Sequence, residues 1–110
     1  MSEIALVYVP YGSRAEAEAA GHQMVQERLA ACANVLSEGR SIYPWDGVIE
    51  QSAETVVLFK TAPDRCAALM TAIAQAHAYD LPAILTWPAQ TTPAYAAWVH
   101  EKTRPDARLD

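Results

Sequence analysis

Asp46-Gly47 sits between two long extended runs, residues 34–45 and 48–61, and no other feature narrows the fold as far. Adjacent Asp and Gly tolerate the left-handed dihedrals of a tight two-residue turn, so the runs are expected to be the arms of one antiparallel hairpin. Ordinary strands are roughly five or six residues long. Arms of twice that length cannot all lie within one small domain, so the tip is expected to project past its body. Pro44 lies inside the first arm and has no N–H for a ladder, which implies an edge position or a bulge. In the second arm Val56, Val57, Leu58 and Phe59 are continuous and apolar, the pattern of a strand covered on both faces. Glu50, Gln51 and Ser52, nearer the turn, are polar.

The remaining elements fall on either side of this hairpin. Residues 4–9 are almost wholly apolar and read as a buried strand, broken by Pro10-Tyr11-Gly12. Ser13 and Glu16 have capping-box spacing at the start of a helix expected over 14–31, whose apolar stripe holds Met24, Val25, Leu29 and Cys32. The chain Glu27-Arg28-Leu29-Ala30-Ala31-Cys32-Ala33-Asn34 then passes from helical to extended pattern with no loop residue between. Thr61 is the expected cap of a second helix, with Asp64 in its first turn. Cys66, Leu69, Met70 and Ile73 form its core-facing stripe, and it should end near His77. Residues 83–87 read as a last buried strand. Thr92-Pro93 opens a short third helix bearing Tyr95, Trp98 and Val99 on one face.

The order β-α-β-β-α-β plus a small helix defines an α+β, ferredoxin-like sandwich: a mainly antiparallel sheet with two helices on one face. One domain is expected over 1–110, with an ordered core over about 4–104. The second sheet face is left without a partner, which makes a homo-oligomer the physical expectation, with Tyr43 and Trp45 of the hairpin reaching a neighbouring subunit.

A net charge of −5 and scattered basic residues give no cationic face for nucleic acid. No apolar run approaches the roughly 18 residues of a membrane span. The start Met1-Ser2-Glu3-Ile4 has an acid where a secretory signal is basic, so a cytoplasmic location is expected. Cys32 and Cys66 are far apart and read as reduced and mostly buried. Gly12, Gly21, Gly39 and Gly47 are isolated, so there is no phosphate loop, and neither a nucleophile elbow nor an i, i+4 histidine pair is present. No enzymatic activity is expected.

Three places carry candidate chemistry. His77, Tyr79 and Asp80 can present an imidazole, a phenol and a carboxylate on one short loop, with His77 and Asp80 as metal ligands. The competing role for His77 is a helix C-cap, and for Asp80 an ordinary turn. Lys60 closes the second arm and, with His77, Tyr79 and Asp80, could line a small polar cleft between subunits, or simply be solvated. Cys32 is a possible soft ligand or redox thiol, against a structural role in tight packing. His22 and His100 fall on polar helical stretches and are expected to be exposed.

The block Glu27 to Asn34, the segment Ser41-Ile42-Tyr43-Pro44-Trp45-Asp46-Gly47-Val48-Ile49-Glu50 and the segment His77-Ala78-Tyr79-Asp80-Leu81-Pro82 together resemble the CutA divalent-cation tolerance family. The resemblance implies a trimer in which hairpins and last helices wrap neighbouring subunits, and a role in tolerance of divalent metals such as copper. It also implies binding pockets in clefts between subunits. Family members commonly read His-Pro-Tyr-Glu where this chain has His77-Ala78-Tyr79-Asp80. Copper sites proposed in the family use a first-strand cysteine and an additional histidine, where this chain has Val9 and Ala76, so His77 alone remains of that set. The architecture is also similar to trimeric PII-type regulators, which implies the alternative of a signalling or scaffold module that binds a small effector.

Overall fold

The central strand β1 (Ser2–Tyr11) is followed by α1 (Arg14–Gln26), β2 (Cys32–Val35), β3 (Gly39–Trp45) and the long β4 (Val48–Thr61). One 3₁₀ turn (Pro63–Arg65) leads into α2 (Cys66–Ala76), and β5 (Leu85–Thr91) and α3 (Pro93–Lys102) complete the chain. This computed structural model describes residues 1–106; residues 107–110, with Arg108 and the end of the expected 1–110 domain, lie outside the described residues. The sheet order is β2-β4-β1-β5 with β3 beside β4, and every pairing is antiparallel. This is the ferredoxin-like α+β arrangement that the element order implied.

Trp45 pairs with Val48 across Asp46 (φ 48°) and Gly47 (φ 80°), the two left-handed residues of a type I′ turn. The first arm is two strands: residues 36–38 separate β2 from β3, and both pair with the unbroken β4. Pro44 sits in β3, which among the described residues pairs with β4 alone, so its missing N–H faces no strand there. The molecule measures 47 × 26 × 23 Å, and Ile42, Trp45, Val48 and Ile49 are exposed on the hairpin.

One sheet face is fully covered. Val7, Val9 and Tyr11 of β1 and Val57 and Phe59 of β4 pack against Ala17 and Met24 of α1 and Leu69 and Ile73 of α2. Strands alternate, so this face takes every second residue. The other face is covered only at one end, where Ile4 and Leu6 meet Tyr95, Ala96 and Val99 of α3. Beyond α3, Tyr8, Val56 and Leu58 are half-buried. The expected two-sided burial of residues 4–9 and 56–59 is therefore corrected, as is that of the last strand. β5 starts at Leu85 on a sheet edge, and Leu85 and Trp87 stay 51% and 43% exposed. A ten-residue α3 is too short to roof the sheet.

Four local expectations also change. Pro10 does not end β1: it pairs with Val56, and β5 reaches only as far as Tyr8, so nothing asks for the absent N–H. α1 ends at Gln26, not at 31, because Arg28 turns left-handed (φ 60°) and the Leu29 and Ala30 N–H groups both return to the Met24 carbonyl. The junction to β2 is therefore a turn. Thr61 caps no helix; it is buried in β4, where Oγ1 donates to the Leu29 carbonyl (2.7 Å) and ties that turn to the sheet. Cys32 and Cys66 are free thiols but half-buried.

Other signals hold. Ser13 accepts from the Glu16 N–H (3.1 Å) and Thr92 from the Tyr95 N–H (3.3 Å), with Pro93 at the first helical position of α3. Leu69 and Ile73 are buried, and Cys66 and Met70 flank them. Among the described residues no helix is long and apolar enough to cross a membrane. Phe59, fully buried, bridges the sheet to the helical layer. Phe59→Ala is expected to cost about 3–5 kcal/mol, read as a lower urea midpoint at unchanged slope.

Candidate functional site

The end of α2 places an imidazole against the end of β1. His77 closes the helix with its backbone N–H on the Ile73 carbonyl (2.9 Å) and then turns extended. Its Nε2 lies 2.8 Å from the Pro10 carbonyl, which can only accept, so Nε2 carries the proton. Nδ1 is left as an acceptor and takes the Tyr79 N–H at 3.1 Å. Both ring nitrogens are engaged, and the bonds assign one neutral tautomer. The ring stacks on Tyr11 (centroids 4.5 Å apart, planes 15° apart) and meets Tyr79 at a tilt (4.7 Å, 53°).

Tyr79 carries the connection onward. Its hydroxyl donates to Glu54 Oε2 in β4 (3.0 Å), while Ser41 of β3 donates to Glu54 Oε1. Nearer the tip, the Tyr43 and Ser52 hydroxyls are 3.3 Å apart. The result is one chain of bonds from the β1 carbonyl through the α2–β5 loop to the root of the hairpin. Gly12 makes room for it: a Cβ there would sit 3.2 Å from Glu16 Oε2 and 3.4 Å from the Tyr79 hydroxyl. The phenol is therefore held between two carboxylates. Although 38% of Tyr79 is exposed, its hydroxyl is held by Glu54. Burial first, then the hydrogen bond and charge of Glu54, and then the charges of Glu16 and Tyr43, push its pKa up to about 12. Burial alone pushes Tyr11 up to about 12.

The structure brings together only part of the expected set. His77 and Tyr79 share one network, and Asp80 is exposed on the same loop. Lys60 is elsewhere. It pairs with Leu6, four ladder positions from the Pro10–Val56 pair, or roughly 13 Å along the strand. Its Nζ lies 5.8 Å from the Tyr95 ring centre, on the sheet face that α3 partly covers. Within one chain it lines no cleft with His77, Tyr79 and Asp80. Cys32 pairs across the ladder with Lys60, and its Sγ lies 3.8 Å from Asn34 Oδ1. His22 and His100 are exposed. Among the described residues, no three His, Cys, Asp or Glu side chains cluster as a metal site. Tyr11, Gly12, Glu16, Ser41 and Glu54 escaped sequence reasoning because four separate segments converge there. The one available hint was Glu54, an acid just before the apolar half of β4.

Fold and site together define a class: a ferredoxin-like α+β protein with a projecting hairpin, a partly bare sheet face and a tyrosine-histidine network at the hairpin root. The chain belongs to the CutA1 family, matching the model described as "CutA1 divalent ion tolerance protein" over residues 5–102. It is 34% identical over 89 residues to the divalent-cation tolerance protein CutA of Pectobacterium atrosepticum, covering 80% of this chain and 81% of that one. It is 36% identical over 81 residues to Protein CutA of Mus musculus; that match covers 73% of this chain and 46% of the mouse protein, so it spans about half of that relative. The crystal structure of CutA1 from Ehrlichia chaffeensis superposes with a TM-score of 0.89 at 30% identity, covering 94% of this chain and 98% of that one.

The alkaline limit of stability tests the network. A phenol whose folded pKa lies above the unfolded value of about 10 keeps its proton in the folded state while the unfolded chain loses it. Its contribution is complete below pH 10 and is lost as pH rises from about 10 through 12. Tyr79→Phe is expected to flatten the fall of melting temperature over that window and to remove one late-titrating phenol from the tyrosinate absorbance curve. An unchanged alkaline limb would contradict the network.

Proposed function

We propose that the chain acts in tolerance of divalent cations as a cytoplasmic homotrimer that takes a metal ion or small ligand in clefts between subunits. The observation that carries this reading is the uncovered sheet face, where Leu85 and Trp87 are exposed, together with the exposed Trp98 and the exposed apolar side chains of the hairpin. Such apolar surface is the kind that another copy of a chain buries. Lys60 lies on that face and His77, Tyr79 and Asp80 at the far end of β1, so the two halves of the expected site meet only if different subunits supply them. Family membership supplies the divalent-cation role. The two free thiols suit a reducing compartment.

Metal capture has a specific cost in this geometry. His77 Nε2–H holds the Pro10 carbonyl, whereas Nδ1 holds only the N–H of an exposed loop residue. Nδ1 is thus the coordinating atom in this reading, with Asp80 as a second ligand and copper(II) or another divalent cation as the guest. Calorimetric titration of copper(II) and zinc(II) into tag-free oligomer, beside His77→Ala, tests it. Copper binds many nitrogen and oxygen sites, so only the difference between the two proteins counts. A stoichiometric site lost in His77→Ala is the expected result. Equal weak binding in both rejects direct capture.

The engagement of both His77 nitrogens favours one second reading, a PII-like module that binds a small effector and has no intrinsic metal site. An effector specific for the folded trimer must raise the melting temperature. Lys60, Tyr79 and Asp80 are the residues whose substitution should abolish that rise.

A further inference from the structure

The hairpin leaves the body of the molecule at one residue. Running toward the turn, β4 loses β2 first and then β1, whose last pair with it is Tyr11–Thr55. Glu54 is the first residue of β4 that pairs with β3 alone. Thr55 beside it is buried and Glu54 half-buried, so the pivot of the ribbon lies at this step. From Glu54 to Val48 the strand extends roughly 20 Å toward the turn. A swing of about 10° at the pivot therefore carries the tip about 3.5 Å, close to the reach of an apolar contact. Ile42, Trp45, Val48 and Ile49, all exposed, lie on that outer part.

We propose that Tyr79 and Glu54 form a latch that aims the hairpin, so that the loop after α2 sets how tightly copies of the chain associate. The proposal rests on the reading that the hairpin docks on a neighbouring subunit. One carboxylate joins three elements at the pivot. Glu54 Oε2 accepts from the Tyr79 hydroxyl (3.0 Å), and Oε1 accepts from Ser41 on the opposite strand of the ribbon. Bonds to an ionised acceptor are stronger and more directional than neutral ones. Tyr79 is itself fixed from the body. Its N–H is held by His77 Nδ1 (3.1 Å), its ring leans on the imidazole, and that imidazole is pinned between the Pro10 carbonyl and the Tyr11 ring. The aim of the ribbon is thus set from the end of β1 through two stiff aromatic side chains. All of these contacts lie within one chain, so the latch acts on assembly without belonging to the docking surface.

Sedimentation over a dilution series, paired with amide hydrogen exchange on the full chain, tests the latch. Tyr79→Phe keeps the ring against His77 and removes only the hydroxyl. It is expected to speed exchange across residues 39–54 and to weaken assembly, each by about tenfold or more, while β1 amides exchange as in wild type. Glu54→Gln should do the same, and the double variant should be no worse than the poorer single one. Glu18→Gln, which removes a carboxylate that Arg14 holds on the outside of α1, should match wild type. Assembly as tight in Tyr79→Phe as in wild type, or unchanged exchange in the hairpin, overturns the proposal. Equal loosening of β1 overturns it too, because the bond would then hold the fold and not the aim of the ribbon. A wild type that stays a single chain at every concentration refutes the trimer itself, a result distinct from a tight trimer indifferent to Tyr79.

Discussion

Fourteen residues of β4 run without a break from the Asp46-Gly47 turn to Thr61, and three strands depend on them for hydrogen bonds. The half nearer Thr61 lies inside the sheet between β1 and β2 and anchors the core through Val57 and Phe59. The half nearer the turn pairs with β3 alone and carries its side chains away from the body. An isolated two-stranded ribbon is marginal in water. This one is steadied at its root, where Glu54 takes bonds from Ser41 and Tyr79. The same strand thus fixes the core, projects the hairpin and offers the carboxylate on which the loop after α2 is fastened.

The His77 network follows from that geometry. β1 runs three residues beyond the reach of β5 and presents the Pro10 carbonyl to the end of α2, so a polar backbone group at the sheet margin needs a donor. An imidazole meets the need with one nitrogen and leaves the other to organise the loop through the Tyr79 N–H. The capping role and the functional role of His77 are therefore not alternatives in space. The residue that closes the helix is also the one that sets the position of Tyr79 and, through it, of the hairpin root.

The fold was legible wherever local chemistry decides alone. Asp46-Gly47, Ser13 and Thr92 announced their turn and caps, and the stripe Cys66, Leu69, Met70, Ile73 announced its helix. Errors arose where tertiary surroundings overrule pattern. An apolar run such as 56–59 cannot say whether a partner covers its second face, and β5 looked buried for the same reason. The left-handed turn at Arg28 had no glycine to mark it. At the site, His77, Tyr79 and Asp80 are readable as neighbours in sequence, but Glu54 and Glu16 come from other elements, and strand register puts Lys60 at the other end of the sheet within one chain. Departures from the family pattern at Val9, Ala76 and Ala78 mean that this chain must handle ions, if it binds them directly, with a donor set of its own.

In the proposed trimer, copies of the same chain complete the sheet face and the hairpin. The mass of the native, tag-free protein at micromolar concentration, taken by light scattering behind a sizing column, is the most direct test. Three chains of 12.0 kDa each is the predicted result. A particle of one 12.0 kDa chain across the accessible concentration range would contradict it, because Leu85, Trp87 and the hairpin side chains would then be exposed to water with no partner to bury them.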